Sequence, residues 1–337
     1  MPSINQLIDI ISACQAHHPS YTAMINGRPG EGKSDACFQI GERQGIPRDR
    51  IKRVPLMNFD VVDLTGVPSV NDGFTIFNPT KIFYDFREGT GPGLIILEEL
   101  AQSTAHHQMW AGNFVLDRET PTFKLDPEVR ILATGNRVQD KAGVKPLLGQ
   151  LNNRLKHYDI DTSLDDFCAW AMENRVDPLL IAFLRLRPAL LNDYDPNRRS
   201  NPTQRSWTEL SIQTPSNLPK DMYLTACESA VGEGAAAEWV AARDMMHKMP
   251  SIDAIRLKPD VTEVPTEPAV RFAVATAMSM SATADSFPRD MTYVGRMPSE
   301  FQMVYVTDAL RLNPDLHRTQ DFVDWSIKNK DIFLGGN

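Results

Sequence analysis

One short stretch, YTAMINGRPGEGKS, carries four residues spaced for holding phosphate. Gly27, Gly32, Lys33 and Ser34 fill the pattern G-x-x-x-x-G-K-[ST], with Arg28, Pro29, Gly30 and Glu31 between them. Glycines at this spacing let backbone N–H groups turn inward around phosphate oxygens, and a helix starting at the lysine aims its positive dipole end at them. In such a loop Lys33 reaches the β- and γ-phosphates and the Ser34 hydroxyl binds Mg²⁺. A second group is the acid pair Glu98 and Glu99, directly after the apolar run 94–97. One carboxylate there can hold the Mg²⁺ shell while the other orients or deprotonates an attacking water. By itself the pair could simply open the next helix, where the dipole favours acids. Beside a phosphate loop the chemical role is the stronger reading. Asn136 follows a further apolar run, 129–133, and could hydrogen-bond a γ-phosphate or the lytic water; a plain Asn-Arg turn is the competing reading. Arg154 sits at a helix-to-strand junction, where an arginine is either a solvated edge residue or a charge supplied to a neighbouring subunit's site.

These residues need elements that bring them together. Residues 22–26 read as a short buried strand, and SDACFQIGERQ as a helix ending at Gly45. IKRVPLM reads as a second strand, and the turn-rich segment 58–83 as an inserted hairpin. A parallel strand over 94–97 would put Glu98 and Glu99 at the ligand-binding rim of an α/β sheet, the rim on which the phosphate loop is built. A helix is expected from Ala101 to about Leu116. The adjacent His106 and His107 point in different directions on it, so they read as structural or surface residues and not as a metal pair. The stretch DRETPTFKLDPEV reads as a further hairpin, and LLGQLNNRLKHYDID as a helix followed by a strand. At the start, Ser3 with Gln6 forms a capping box, and Ile4, Leu7, Ile8 and Ile11 share a face. From Ser163 the period is helical and the strand period does not return. Two domains follow, 1–162 α/β and 163–337 helical. In the second, Arg198, Arg199 and Arg205 lie just before a helix containing Trp207.

With 337 residues the chain can bury a large core. Its net charge of -8 does not advertise nucleic-acid binding, although a few basic residues lining a pore would suffice for it. Cys14, Cys37, Cys168 and Cys227 are scattered without metal-ligand spacing, which reads as small core residues in a reducing compartment, the cytoplasm. No apolar run is long enough to span a bilayer, and residues 1–15 lack the features of a signal peptide.

The ordered set GRPGEGKS, LIILEE, ILATGN, NNRL and PTQRSW resembles the AAA+ ATPases, and within them the MoxR/CbbQ-like group, most closely its phage-encoded members. VVDLTGVPSV and VGEGAAAEWV extend the resemblance over most of the chain. It implies a P-loop NTPase core with a parallel sheet in AAA+ strand order, followed by an α-helical lid, with ATP and Mg²⁺ as cofactors. It also implies site roles. Gly27, Pro29, Gly30, Glu31, Gly32, Lys33 and Ser34 form Walker A; Glu98 (metal side) and Glu99 (water side) form Walker B. Asn136 becomes sensor 1, Arg154 the arginine finger with Arg137 as competitor, and Arg205 the sensor 2 residue with Arg199 as competitor. The sequence departs from the family at Glu98, where Asp is usual, so the metal-side carboxylate is one methylene longer.

Three functions are compatible with these residues. The first is an ATP-hydrolysing motor or remodeller working as a homo-oligomeric ring, a hexamer by resemblance, with a protein client or a von Willebrand A domain partner. The second is an ATP-dependent assembly switch in which Glu98 slows hydrolysis, and the third is a DNA-processing motor.

Overall fold

The computed structural model describes residues 3–137, 146–160 and 163–330. The chain divides into two compact units, 1–162 and 163–337.

In the first unit α1 (Ile4–His17) is capped by Ser3, which accepts from the Gln6 N–H while the Gln6 side chain accepts from the Ser3 N–H. β1 (Ala23–Asn26) leads through the glycine-rich loop 27–32 into α2 (Lys33–Arg43). β2 (Ile51–Pro55) follows, then α3 (Val61–Thr65), the antiparallel hairpin β3 (Val67–Asn71) and β4 (Phe74–Asn78), and α4 (Lys81–Tyr84). β5 (Gly93–Glu98), α5 (Ala105–Asp117), β6 (Val129–Gly135), α6 (Gly149–Asn152) and β7 (Lys156–Asp159) complete it.

The main sheet has the order β2-β5-β6-β1-β7, and every pairing in it is parallel. With the hairpin set aside the strands run 2-3-4-1-5. This is the parallel α/β class, in AAA+ strand order, that the sequence led us to expect. The alternation along β5 shows why the sheet is covered on both faces. Leu94 and Ile96 pack with Leu7, Ile8 and Ile11 of α1 and Cys37 and Ile40 of α2, whereas Ile95 and Leu97 pack with Phe83, Trp110 and Phe114.

Three details differ from the sequence reading. The helix expected from Ala101 starts at Ala105, because Thr104 caps it through the His107 N–H and residues 101–103 remain a turn. The hairpin over DRETPTFKLDPEV is reduced to isolated bridges, Glu119 to Lys124 and Arg87 to Leu125. Arg205 lies inside a helix, not before it, because Thr203 caps α9 (Gln204–Gln213).

The second unit holds no strand among the described residues. Ser163 and Asp177 cap α7 (Leu164–Glu173) and α8 (Pro178–Leu186). With α9, α10 (Lys220–Val231) and α11 (Glu233–Met246) these helices enclose one core around Phe183, Trp207 and Trp239. A second core, around Phe287, Tyr293, Phe301 and Tyr305, is built by α12 (Ile252–Leu257), α14 (Phe287–Val294), α15 (Ser299–Leu312) and α16 (Gln320–Lys328). α13 (Pro268–Met280) serves both, giving Ala269 and Ala273 to the first core and Val270, Val274 and Met278 to the second. Small residues on its first face allow close helix approach. Among the described residues no helix is long and apolar enough to cross a membrane. All four cysteines are free, and three of them, Cys37, Cys168 and Cys227, are buried.

Candidate nucleotide site

Parallel strands put their C-terminal ends on one edge, so Asn26, Glu98 and Gly135 share a rim. The glycine-rich loop leaves this rim from β1. Gly30 and Gly32 have φ of 74° and 84°, left-handed values that glycine adopts without steric cost, and α2 begins directly after Gly32. Gly27 is required for space. A Cβ there would lie 2.6 Å from a Glu31 carboxylate oxygen and 2.7 Å from Ile160.

The loop braces itself. Glu31 is buried, and its Oε2 accepts the Arg28 N–H at 2.5 Å. Lys33 Nζ donates to the carbonyls of Gly27 at 2.9 Å and Arg28 at 2.7 Å, and to Asn136 Oδ1 at 2.8 Å. The strand-tip asparagine and the loop lysine, far apart in sequence, therefore meet. The Ser34 hydroxyl donates to Glu98 Oε1 at 2.5 Å. These contacts unite Lys33, Ser34, Glu98 and Asn136 in one constellation at the sheet rim. Glu99, the next residue, is exposed and holds a left-handed φ of 58° that costs a non-glycine residue energy. That turn separates the two acids: Glu98 is buried at the strand end, whereas Glu99 faces solvent.

One participant escapes the sequence reading. Arg53 of β2 places Nε 2.9 Å and a terminal nitrogen 2.8 Å from Glu98 Oε2. The hydrogen bond to Glu98 raises the guanidinium's pKa above its ordinary value, against the opposing effect of burial. A signal was present, since two charges, Lys52 and Arg53, interrupt an otherwise apolar strand, but charges are also common on edge strands and β2 is an edge.

The remaining expected residues have their own surroundings, each within its own unit. Arg154 packs on α5, with a terminal nitrogen 3.3 Å from Asn113 Oδ1. Arg205 is exposed on the first turn of α9, in the second unit, and Arg199 is exposed in the preceding turn. Arg137 follows Asn136 and is half-buried. His107 is structural: its ring lies 2.7 Å from both the Thr104 hydroxyl and the Phe59 carbonyl, and His106 is exposed.

The donor set suits a nucleotide with its cation. A hydroxyl and a carboxylate stand in contact for the metal shell, and an ammonium crosses the mouth of a glycine loop at a helix N-terminus. No protein-family model matches the sequence, and no curated protein does either. Among solved structures the chain is similar to NtrX from Brucella abortus, at 14% identity and a TM-score of 0.36 over 95% of this chain and 64% of that one. The chain thus spans just under two thirds of that NtrX structure. A crystal of NtrX with ADP gives 14% identity and 0.39, covering 98% and 67%. A DNA polymerase III gamma subunit-related protein from Thermotoga maritima gives 11% and 0.39, covering 91% and 99%.

Proposed function

We propose that this chain is a Mg²⁺-dependent ATPase of the AAA+ type, a MoxR-like remodeller that works in the cytoplasm as a homo-oligomeric ring, hexameric by resemblance. The observation that supports it best is the linked set of Lys33 with Asn136 and Ser34 with Glu98 at one sheet rim.

Each residue has a task in this reading. Lys33 exchanges its bonds to the Gly27 and Arg28 carbonyls for β- and γ-phosphate oxygens, so the loop opens as the phosphates enter. Mg²⁺, when bound, neutralises charge on the β- and γ-phosphates. Ser34 and Glu98 are the residues that would hold it. Glu99, held out of the strand by its left-handed backbone, orients water and takes its proton. Asn136, released by Lys33, turns its amide to the γ-phosphate or the water. Arg154 acts on a neighbouring subunit's nucleotide and Arg205 closes the lid over its own. A protein client, or a partner with a von Willebrand A domain, receives the motion.

Glu99→Gln tests the assignment. It should bind ATP as the wild type does and lose at least roughly 10²-fold in turnover; normal hydrolysis by this variant would remove Glu99 from its role. Turnover per subunit should also rise with protein concentration, because subunits complete one another's sites. Stimulation by DNA would instead move the reading to a DNA-processing motor.

A second reading, an assembly switch with slow hydrolysis, draws support from the tie between Glu98 and Arg53. A strong rise in turnover for Glu98→Asp would favour it.

A further inference from the structure

Glu98 has two carboxylate oxygens, and both are in use. Oε1 accepts from Ser34, and Oε2 takes two nitrogens of Arg53. The two partners stand on opposite sides of the acid, one at the start of α2 and one on the edge strand β2. In the β2–β5 register Pro55 lies opposite Glu98, and Arg53, two residues back, shares the face of Pro55. The longer glutamate side chain is what allows one carboxylate to serve both. An aspartate at this position would end one methylene short.

Charge gives the contact a consequence. Glu98 is a buried anion in contact with the Ser34 hydroxyl, and a guanidinium already neutralises it. Arg53 is itself 52% exposed in its side chain, so it can swing aside at a small cost in burial. Resting on the ATP-site reading above, we propose that Arg53 is a positioning residue for Glu98: it holds the acid on Ser34 and keeps divalent-cation affinity low. The cation then enters with the nucleotide rather than before it. The unusual Glu98 and the strand arginine are two halves of one device.

The test measures Mn²⁺ affinity by the loss of the free-ion electron paramagnetic resonance signal, with a non-hydrolysable ATP analogue bound. Binding of a fluorescent ATP analogue in EDTA serves as the control. Arg53→Gln should bind Mn²⁺ roughly tenfold tighter, since one positive charge is removed within a few ångströms of the ion. Arg53→Lys, which keeps the charge, should stay near the wild type. Glu98→Asp should uncouple the pair, so that adding Arg53→Gln to it changes Mn²⁺ affinity little. Unchanged or weaker Mn²⁺ binding by Arg53→Gln overturns the proposal, as does Arg53→Lys behaving like Arg53→Gln. If Arg53→Gln does not fold, as shown by its thermal melt, Arg53→Met, which also removes the charge, takes its place: tighter Mn²⁺ binding is expected of it, and unchanged or weaker binding overturns the proposal. A wild type that binds no nucleotide in EDTA or in Mn²⁺ overturns the ATP-site reading itself, whereas bound nucleotide with an unresponsive cation affinity overturns this inference alone.

Discussion

Each unit of the molecule relies on arginine–carboxylate pairs, but under different degrees of burial. In the α/β unit Glu98 is buried while the Arg53 side chain stays 52% exposed. In the helical unit the Arg185–Asp308 pair, 2.7 Å apart, keeps only 9% and 3% side-chain exposure, and Arg185 also donates to Thr276 at 2.7 Å. Arg256 grips Asp290 through both oxygens at 2.8 and 2.9 Å, with Tyr305 donating to the same carboxylate at 3.0 Å. Full burial makes a pair costly to break, because each half is stranded without water. Half-exposure leaves one partner free to rearrange. The difference teaches that the helical pairs lock α8 to α15 and α12 to α14, while the pair at the sheet rim is suited to exchange partners when a ligand arrives.

The comparison breaks most visibly at Arg185. Arg185→Met should cost about 3–5 kcal/mol of stability at neutral pH by leaving Asp308 buried without its cation, as read by denaturant unfolding. The pH dependence fixes the cause. Burial raises the Asp308 pKa above its ordinary 3.8, against the lowering effect of Arg185. A raised folded pKa means that the native state holds the proton more tightly than the unfolded chain does. Its stabilising contribution is present below 3.8 and lost as pH rises through the folded value. Removing Arg185 raises that value further, so the destabilisation should shrink on acidification and grow towards neutral pH. A pH-independent loss would make the effect one of packing alone.

If the proposed function holds, Lys33→Met should weaken ATP binding by at least roughly a hundredfold in calorimetry, since it removes the charge assigned there to the phosphates. Its effect on stability should be far smaller than that of Arg185→Met, because the lysine's partners are uncharged and two of the three, Arg28 and Asn136, are only half-buried. Equal stability losses would erase the distinction between exchangeable and locked charges. The smallest expected effect is at Ser163, whose hydroxyl accepts the Asp166 N–H. Ser163→Ala should cost about 1 kcal/mol, measured by thermal unfolding, and leave nucleotide affinity unchanged.

Much of the site was legible because its signals are local. The loop from Gly27 to Ser34 is defined within eight consecutive residues by glycine conformations and a helix start, and an apolar run ending in Glu98 announces a buried strand with acids at its tip. The helix caps at Ser3, Ser163 and Asp177 are equally local, each a side chain reaching a backbone N–H two or three residues away. Where the reading failed it was again over local competition. Thr104 caps α5 later than its apolar pattern begins, and Thr203 draws Arg205 into α9.

What the sequence determined by itself was thus the glycine-rich loop conformation before α2, the buried parallel strands and the switch to helices at Ser163. Only the tertiary structure decided the partners. Lys33 meets Asn136 because β1 and β6 are neighbours, Glu98 meets Arg53 because β2 pairs with β5 in one register, and Arg185 meets Asp308 because α13 brings α8 and α15 together. The reason is physical: spacing along the chain fixes conformations a few residues long, whereas which charges are neutralised depends on strand order and helix packing, set by burial of apolar faces that carry no address for a particular arginine.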